Sequence, residues 1–182
     1  MDLRVRRIRS DDAQLLRELR LRSLSDAPDA FGQSFDDAAA RPDAEWSAEV
    51  RASSDGDRRA WFIAETDGDG PPGGLGVVLV RRRPPDVALV FSMWVEPRVR
   101  RGGVGRALIE AASDWAASWG AERVVLWVVA SNEPGLRFYR RLGFTLVESG
   151  PDVESGRAYG ALAMTRAIPN GVIRTPQQRT PE

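Results

Sequence analysis

Three observations predict an α/β fold: a central mixed β-sheet of about six to seven strands flanked by about four helices. Apolar runs of strand length recur at residues 3–8, 60–65, 75–80, 87–95, 123–129, 144–147 and 159–165. Segments with apolar residues at helical spacing lie between them. One such segment joins the two most apolar runs, 87–95 and 123–129, and a helical crossover of this kind requires those strands to be parallel. The loop leading into that helix then lies at the C-terminal edge of the sheet, where α/β folds place ligands.

Each element has a local signal. Residues 3–8 alternate Leu-Arg-Val-Arg-Arg-Ile, a partly exposed strand. Ser10 or Asp11 can cap the helix that follows, with Leu15, Leu16, Leu19 and Leu24 as its stripe and Ala27-Pro28-Asp29 as its end. Residues 29–40, with Phe31-Gly32 and Phe35, read as a loop or broken helix. A second helix begins near Pro42 and carries Trp46 and Val50. A turn dense in Gly, Pro and Asp at 67–74 separates the strands 60–65 and 75–80. Arg81-Arg82-Arg83-Pro84-Pro85-Asp86 reads as an exposed connection with solvated charges. The strand 87–95 is nearly uninterrupted and stops at Pro97, as a central strand would. Val104, Leu108, Ala111, Ala112, Trp115 and Trp119 form one helical face, ended by Gly120. A strand at 123–129, a helix at 134–142 stopped by Gly143, and a strand at 144–147 follow. Residues 150–156 read as a polar turn before the last strand, 159–165. Residues 1–168 are expected to form one domain. Residues 169–182 hold three prolines and no apolar periodicity, and read as a flexible or loosely docked tail.

Composition narrows the chemistry. The 182 residues carry 26 basic and 26 acidic side chains, a formal net charge of zero, so no general affinity for nucleic acid is expected. No stretch approaches a membrane span, and the charged N-terminus is unlike a signal peptide. A cytoplasmic protein is expected. Cysteine and histidine are absent, which excludes disulfides, thiolate nucleophiles and imidazole bases, and no metal site is expected. Every basic residue is arginine, so Schiff-base chemistry and a P-loop lysine are excluded too. Carboxylates, Tyr139, Tyr159, hydroxyls, backbone N–H groups and water remain.

The stretch Arg100-Arg101-Gly102-Gly103-Val104-Gly105-Arg106 stands between a strand and a helix. A first helical turn leaves N–H groups without partners and carries partial positive charge, which suits a phosphate. Glycine permits close backbone approach, and Arg100, Arg101 and Arg106 can add charge-assisted hydrogen bonds. A glycine-rich turn with solvated arginines is the plainer alternative.

From Val87 to Glu148 the chain resembles the GNAT superfamily of acetyl-CoA-dependent N-acetyltransferases. The family loop, Arg or Gln, two residues, Gly, one residue, Gly or Ala, stands here as Arg100 to Gly105, after Met93-Trp94-Val95-Glu96-Pro97. Asn132-Glu133-Pro134-Gly135-Leu136-Arg137-Phe138-Tyr139 and Leu142-Gly143-Phe144 are similar to its downstream motifs, with Gly135 in place of the usual alanine. Upstream of Val87 the likeness is topological.

The resemblance implies a GNAT-like fold with acetyl-CoA as donor and an amine as acceptor. It implies that the N–H groups of Arg101, Gly102, Gly103, Val104 and Gly105 hold the CoA pyrophosphate. It implies that the two central strands splay so that pantetheine pairs with the backbone of Met93, Trp94 and Val95. Asn132 would touch the pantetheine arm or cap the next helix. An N–H near Val95 would polarise the thioester carbonyl, and Tyr139 would protonate the leaving thiolate. Many relatives carry a glutamate where Phe91 and Trp127 stand. The acceptor's proton must then leave through water to bulk, through Ser92, or through a carboxylate such as Glu18 or Asp29. From the residues alone, Phe91, Trp94 and Trp127, joined by Phe31, either shape an apolar acceptor pocket or are ordinary core packing. A small-molecule acceptor is preferred; a protein N-terminus and a non-catalytic CoA-binding module are the alternatives, and a homodimer is common in the resembling family.

Overall fold

The computed structural model describes residues 3–66 and 74–169, so the predicted 67–74 turn and the tail beyond residue 169 lie almost wholly outside the described residues. Its strands are β1 (Leu3–Arg7), β2 (Arg59–Thr66), β3 (Gly76–Arg83), β4 (Val87–Val95), β5 (Arg123–Val129), β6 (Thr145–Leu146) and β7 (Ala161–Ala167). They form one seven-stranded sheet in the order β1-β2-β3-β4-β5-β7-β6. All neighbours are antiparallel except β4 and β5, the pair joined by the predicted crossover. Six α-helices occur among the described residues: α1 (Ala13–Asp26), α2 (Phe35–Ala39), α3 (Asp43–Ser54), α4 (Val104–Ser118), α5 (Glu133–Arg141) and α6 (Pro151–Arg157).

The sheet is buried on both faces because its inner strands are apolar at successive positions. In β2, Ala60, Phe62 and Ala64 join the core beneath α4, while Trp61 and Ile63 join the core beneath α1 and α3. In β3, Val78 and Val80 face one core, and Val77 and Leu79 the other. Leu16, Leu19, Leu24, Trp46 and Val50 close the α1/α3 side; Val104, Leu108, Ile109, Ala112 and Ala116 close the α4 side.

Four local expectations need correction. Residues 151–157 are helix α6, not a polar turn, and β7 starts two residues later than expected. The helix is held from afar: Arg83 meets the Asp152 carboxylate at 2.5 and 3.1 Å, and Trp127 Nε1 donates to the Asp152 carbonyl at 2.7 Å. Arg81, Arg82 and Arg83 therefore belong to β3, paired with Leu89, Ala88 and Val87, and the connection shrinks to Pro84-Pro85-Asp86. The N-cap position of α1 is Asp12 rather than Ser10 or Asp11, and its side chain makes no capping bond. The Asp12 carboxylate instead accepts from Arg6 at 2.5 and 3.0 Å and from the Arg9 N–H at 2.7 Å, clamping β1 to the start of α1.

Burial alone would raise the Asp12 pKa, but the Arg6 and Arg9 hydrogen bonds outweigh it and hold the carboxyl below the ordinary 3.8. A lowered folded-state pKa contributes stability that is present above the unfolded value and is lost as pH falls through the folded one. Urea unfolding from pH 7 downward should show stability declining below pH of about 4. Asp12→Asn should cost about 1–3 kcal/mol at neutral pH, with the gap to the parent closing at the acid end.

Candidate active site

The parallel pair sets the site. The ladder between β4 and β5 runs from Val87↔Arg123 to Val90↔Leu126 and stops, although β4 continues to Val95 and β5 to Val129. Beyond that point β5 stays paired with β7 as far as Val129↔Ala161. β4 stays with β3 but bulges: Ser92 takes a φ of 51°, and the register jumps from Leu79↔Phe91 to Val77↔Trp94. The two strands part, as expected, and a cavity of about 900 Å³ opens between them. Met93, Trp94 and Val95 line one wall; Val129, Ser131 and Asn132 line the other.

The edge of β4 on this cavity keeps its backbone groups available. Glu96 N–H donates to Leu75 O at 2.8 Å, so the Val95 carbonyl, across a trans peptide, points the opposite way and accepts from Arg100 Nε at 3.0 Å. In an extended residue the N–H and C=O share an edge, so the Val95 N–H also faces the parting.

The glycine loop closes the end of the cavity. Arg101 and Gly103 both lie in the left-handed region, at φ 70° and 87°, immediately before α4. Gly102 N–H is used within the loop, donating to Val99 O at 3.2 Å. The N–H groups of Arg101, Gly103, Val104, Gly105 and Arg106 have no acceptor among the described residues. These groups and the N-terminus of a 15-residue helix make an anion cradle. Gly105 serves packing: a Cβ there would stand 3.0 Å from Phe138 Cζ and 3.3 Å from Met93 Cε. The Val104 side chain is buried in the α4 core, so only its backbone is offered.

Of the three loop arginines, Arg100 departs from expectation. Its guanidinium ties to the Val95 carbonyl and to the Asp26 carboxylate, so it locks the loop to the end of α1 and is not free for a phosphate. Trp94 Nε1 donates to the same Asp26 oxygen at 2.9 Å. Arg101 and Arg106 line the cavity without an ion pair among the described residues, and so does Arg141, which the sequence did not single out.

Asn132 is the N-cap of α5, its Oδ1 accepting from Gly135 N–H at 3.0 Å, and it also lines the cavity. The missing Cβ at Gly135 is used: one would stand 2.7 Å from Asn132 Nδ2. Tyr139 lies edge-on between Phe138 and Phe144, at centroid distances of 5.0 and 5.6 Å. Its hydroxyl has no hydrogen-bond partner among the described residues, and the residue lines the cavity. Burial pushes its pKa well above the usual phenol value, so it stays protonated at neutral pH.

The predicted aromatic pocket is only partly assembled. Phe31 lines the cavity, but Phe91 and Trp127 do not; they stack on one another at 5.6 Å on the opposite side of the sheet from α4. The alternation of β4 sends Phe91 there, and Trp127 is held by its bond to Asp152. Of the carboxylates considered, Asp29 lines the cavity, whereas Glu18 is exposed on α1 beside Gln14. The segment from Asp26 to Phe31 forms a further wall of the cavity, and nothing in its own residues ties it to positions 94 and 100.

A sheet split at its parallel pair, with a helix N-terminus closing the split, defines an α/β protein whose bared strand edge and anion cradle suit an anionic ligand. The chain belongs to the acetyltransferase (GNAT) family, a family of acyltransferases, whose model matches residues 17–144, more than half of the sequence. A mycothiol acetyltransferase of Salinispora arenicola is 31% identical over 137 residues, 74% of this chain and 41% of that protein. The chain spans less than half the length of the curated relatives it matches. A GNAT acetyltransferase from Streptococcus pneumoniae superposes with a TM-score of 0.72 at 21% identity, covering 92% of this chain and 99% of that one. The PaiA N-acetyltransferase of Thermoplasma acidophilum, solved with coenzyme A, gives 0.68 at 17% identity, covering the same shares of each chain. These likenesses agree with the observed architecture.

Asp26 accepts from both Trp94 and Arg100, so Asp26→Ala should leave a nearly buried indole N–H unpaired and untie the loop. A loss of about 1–3 kcal/mol is expected in urea unfolding. Stability equal to the parent's would mean the two bonds contribute nothing.

Proposed function

We propose that the chain transfers the acetyl group of acetyl-CoA to the amine of a small molecule, by direct attack within a ternary complex. The observation that carries this reading is the set of unpartnered N–H groups at Arg101, Gly103, Val104, Gly105 and Arg106, closing a cavity between two parted parallel strands. That cradle suits the CoA pyrophosphate, with Arg101, Arg106 and Arg141 beside it to neutralise charge. The exposed edge of Met93, Trp94 and Val95 suits the pantetheine amides, which would add to β4 as a strand.

The residues then divide the work. Val95 N–H, facing the cavity, stabilises negative charge on the thioester oxygen as the amine attacks. The C–N bond forms, the C–S bond breaks, and Tyr139 gives its proton to the departing sulfur. Asn132 caps α5 through its oxygen and lines the cavity, so its amide N–H₂ group is the part left to meet the donor. The amine must arrive neutral, since an ammonium has no lone pair. Because the chain has no cysteine, no acyl-enzyme thioester can form. The acceptor is read as small because the further cavity beside Ser92 holds about 140 Å³.

Incubation with acetyl-CoA and a panel of amines tests the reading directly. Thiol release reports only CoA, since the protein has no cysteine of its own. If acetyl-CoA binds but no amine raises release above hydrolysis, a CoA-binding module stands in place of an enzyme. Gly103→Val forces a β-branched residue to φ 87° and should weaken acetyl-CoA binding about 10-fold or more. Unchanged affinity would reduce the loop to a turn. Tyr139→Phe should lower kcat about 10²-fold with acetyl-CoA affinity unchanged, and an equal rate would remove the proposed acid.

A further inference from the structure

We infer that the acceptor amine also carries a carboxylate, and that Arg20 holds it in a second cavity between α1, α3 and the sheet. This rests on the acetyl-transfer reading and names its substrate class. The cavity, about 140 Å³, is lined by Arg20, Gln33, Trp46, Glu49, Arg81 and Ser92 among others.

Arg20 is the reason. It is only 7% exposed, and no carboxylate among the described residues pairs with it. Its contacts go to neutral oxygens: Nε donates to Gln33 Oε1 at 3.2 Å and Nη1 to Ser23 Oγ at 3.4 Å. Nη2 has no hydrogen-bond partner among the described residues. The other buried charged residue among the described residues, Asp152, has Arg83 opposite it. A guanidinium buried without an anion is costly, and burial here pulls its pKa down to about 10, which leaves it charged at neutral pH.

The rest of the lining is also rich in donors. Trp46 Nε1 is buried with no hydrogen-bond partner among the described residues. Arg81 lies over the Phe91 ring, at 5.4 Å, and is not ion-paired among the described residues. Glu49 is already taken, by Trp61 Nε1 at 2.9 Å and by Arg59 at 3.1 Å. What the cavity lacks is an anion with acceptor oxygens for Arg20, since its one lining carboxylate, Glu49, is engaged elsewhere. The planar fork of a guanidinium matches a carboxylate. At roughly 30 Å³ per water, the space equals about five waters, enough for a short aminocarboxylate.

The position relative to the donor fits as well. Ser92 lines this cavity, and its neighbour Met93 lines the larger one. Phe31, which lines the larger cavity, lies under the Arg20 guanidinium at 4.6 Å. A carboxylate on Arg20 therefore leaves the amine directed past the Ser92 bulge toward the end of β4.

Matched pairs decide it. The full chain, with and without CoA, is titrated calorimetrically with amino acids of graded length and with their neutral amides. At least one carboxylate should bind about 10-fold or more tightly than its amide. Arg20→Met should abolish that preference with CoA affinity unchanged, and Arg20→Lys, which keeps the charge without the fork, should restore part of it. Should Arg20→Met not fold, Gln33→Leu, which removes the acceptor that orients the Arg20 guanidinium, must weaken the same carboxylate. Absence of carboxylate binding, equal affinity for carboxylate and amide, or a preference indifferent to these variants overturns the inference. Failure to bind CoA, read in its own titration, counts against the acetyl-transfer reading alone.

Discussion

The parting of β4 from β5 is the constraint on which the rest depends. Two parallel strands that stayed paired to their ends would satisfy one another's backbone and leave no room between them. Here β5 remains laddered to β7 and β4 to β3, so each strand keeps one partner and gives up the other. The bulge at Ser92 does the bending. It also exchanges the faces of the strand: Val90 and Met93 meet the α4 core, while Phe91 and Trp94 meet the core beneath α1. One irregular residue thus opens the cavity, bares the Val95 edge, and directs Trp94 to Asp26.

An arginine-only basic complement shapes how this framework is held. A guanidinium can bridge a carbonyl and a carboxylate at once, as Arg100 does between Val95 and Asp26. Arg6 similarly holds Asp12 at the N-cap of the next helix and Glu65 on the next strand. Arg166 reaches Glu110, Ser113 and the Leu142 carbonyl, fastening β7 to α4 and to the end of α5. Arg20 differs from these three in being buried with only neutral partners.

Much of the fold was legible in the sequence because its signals are local. Strand alternation, the stripe of α4, and the positive-φ glycines at 103, 120 and 143 can each be read from a few neighbouring residues. The glycine loop and Asn132 were legible for the same reason. What could not be read depended on distant partners. Residues 151–157 look like a turn until Arg83 and Trp127 reach them. Arg81 to Arg83 look solvated until the strand opposite is known. Arg100 looks like a phosphate ligand until Asp26, on a different helix, takes it. The second cavity draws Arg20, Gln33, Trp46, Glu49 and Ser92 from separate segments, and no spacing rule joins them.

The acetyl-transfer reading must also say where the acceptor's proton goes, and the packing narrows the routes. Phe91 and Trp127 stack on each other and can accept nothing. Glu49 already accepts from the Trp61 indole and pairs with the Arg59 guanidinium, so its oxygens are engaged away from an incoming amine. Asp26 is occupied twice over. Asp29 lines the larger cavity from an exposed position, where water competes with it on equal terms. Deprotonation to bulk water therefore asks least of the protein, and it leaves the rate dependent on how much of the amine is neutral at a given pH. On that route the protein contributes position and charge stabilisation, with Tyr139 as its single proton donor.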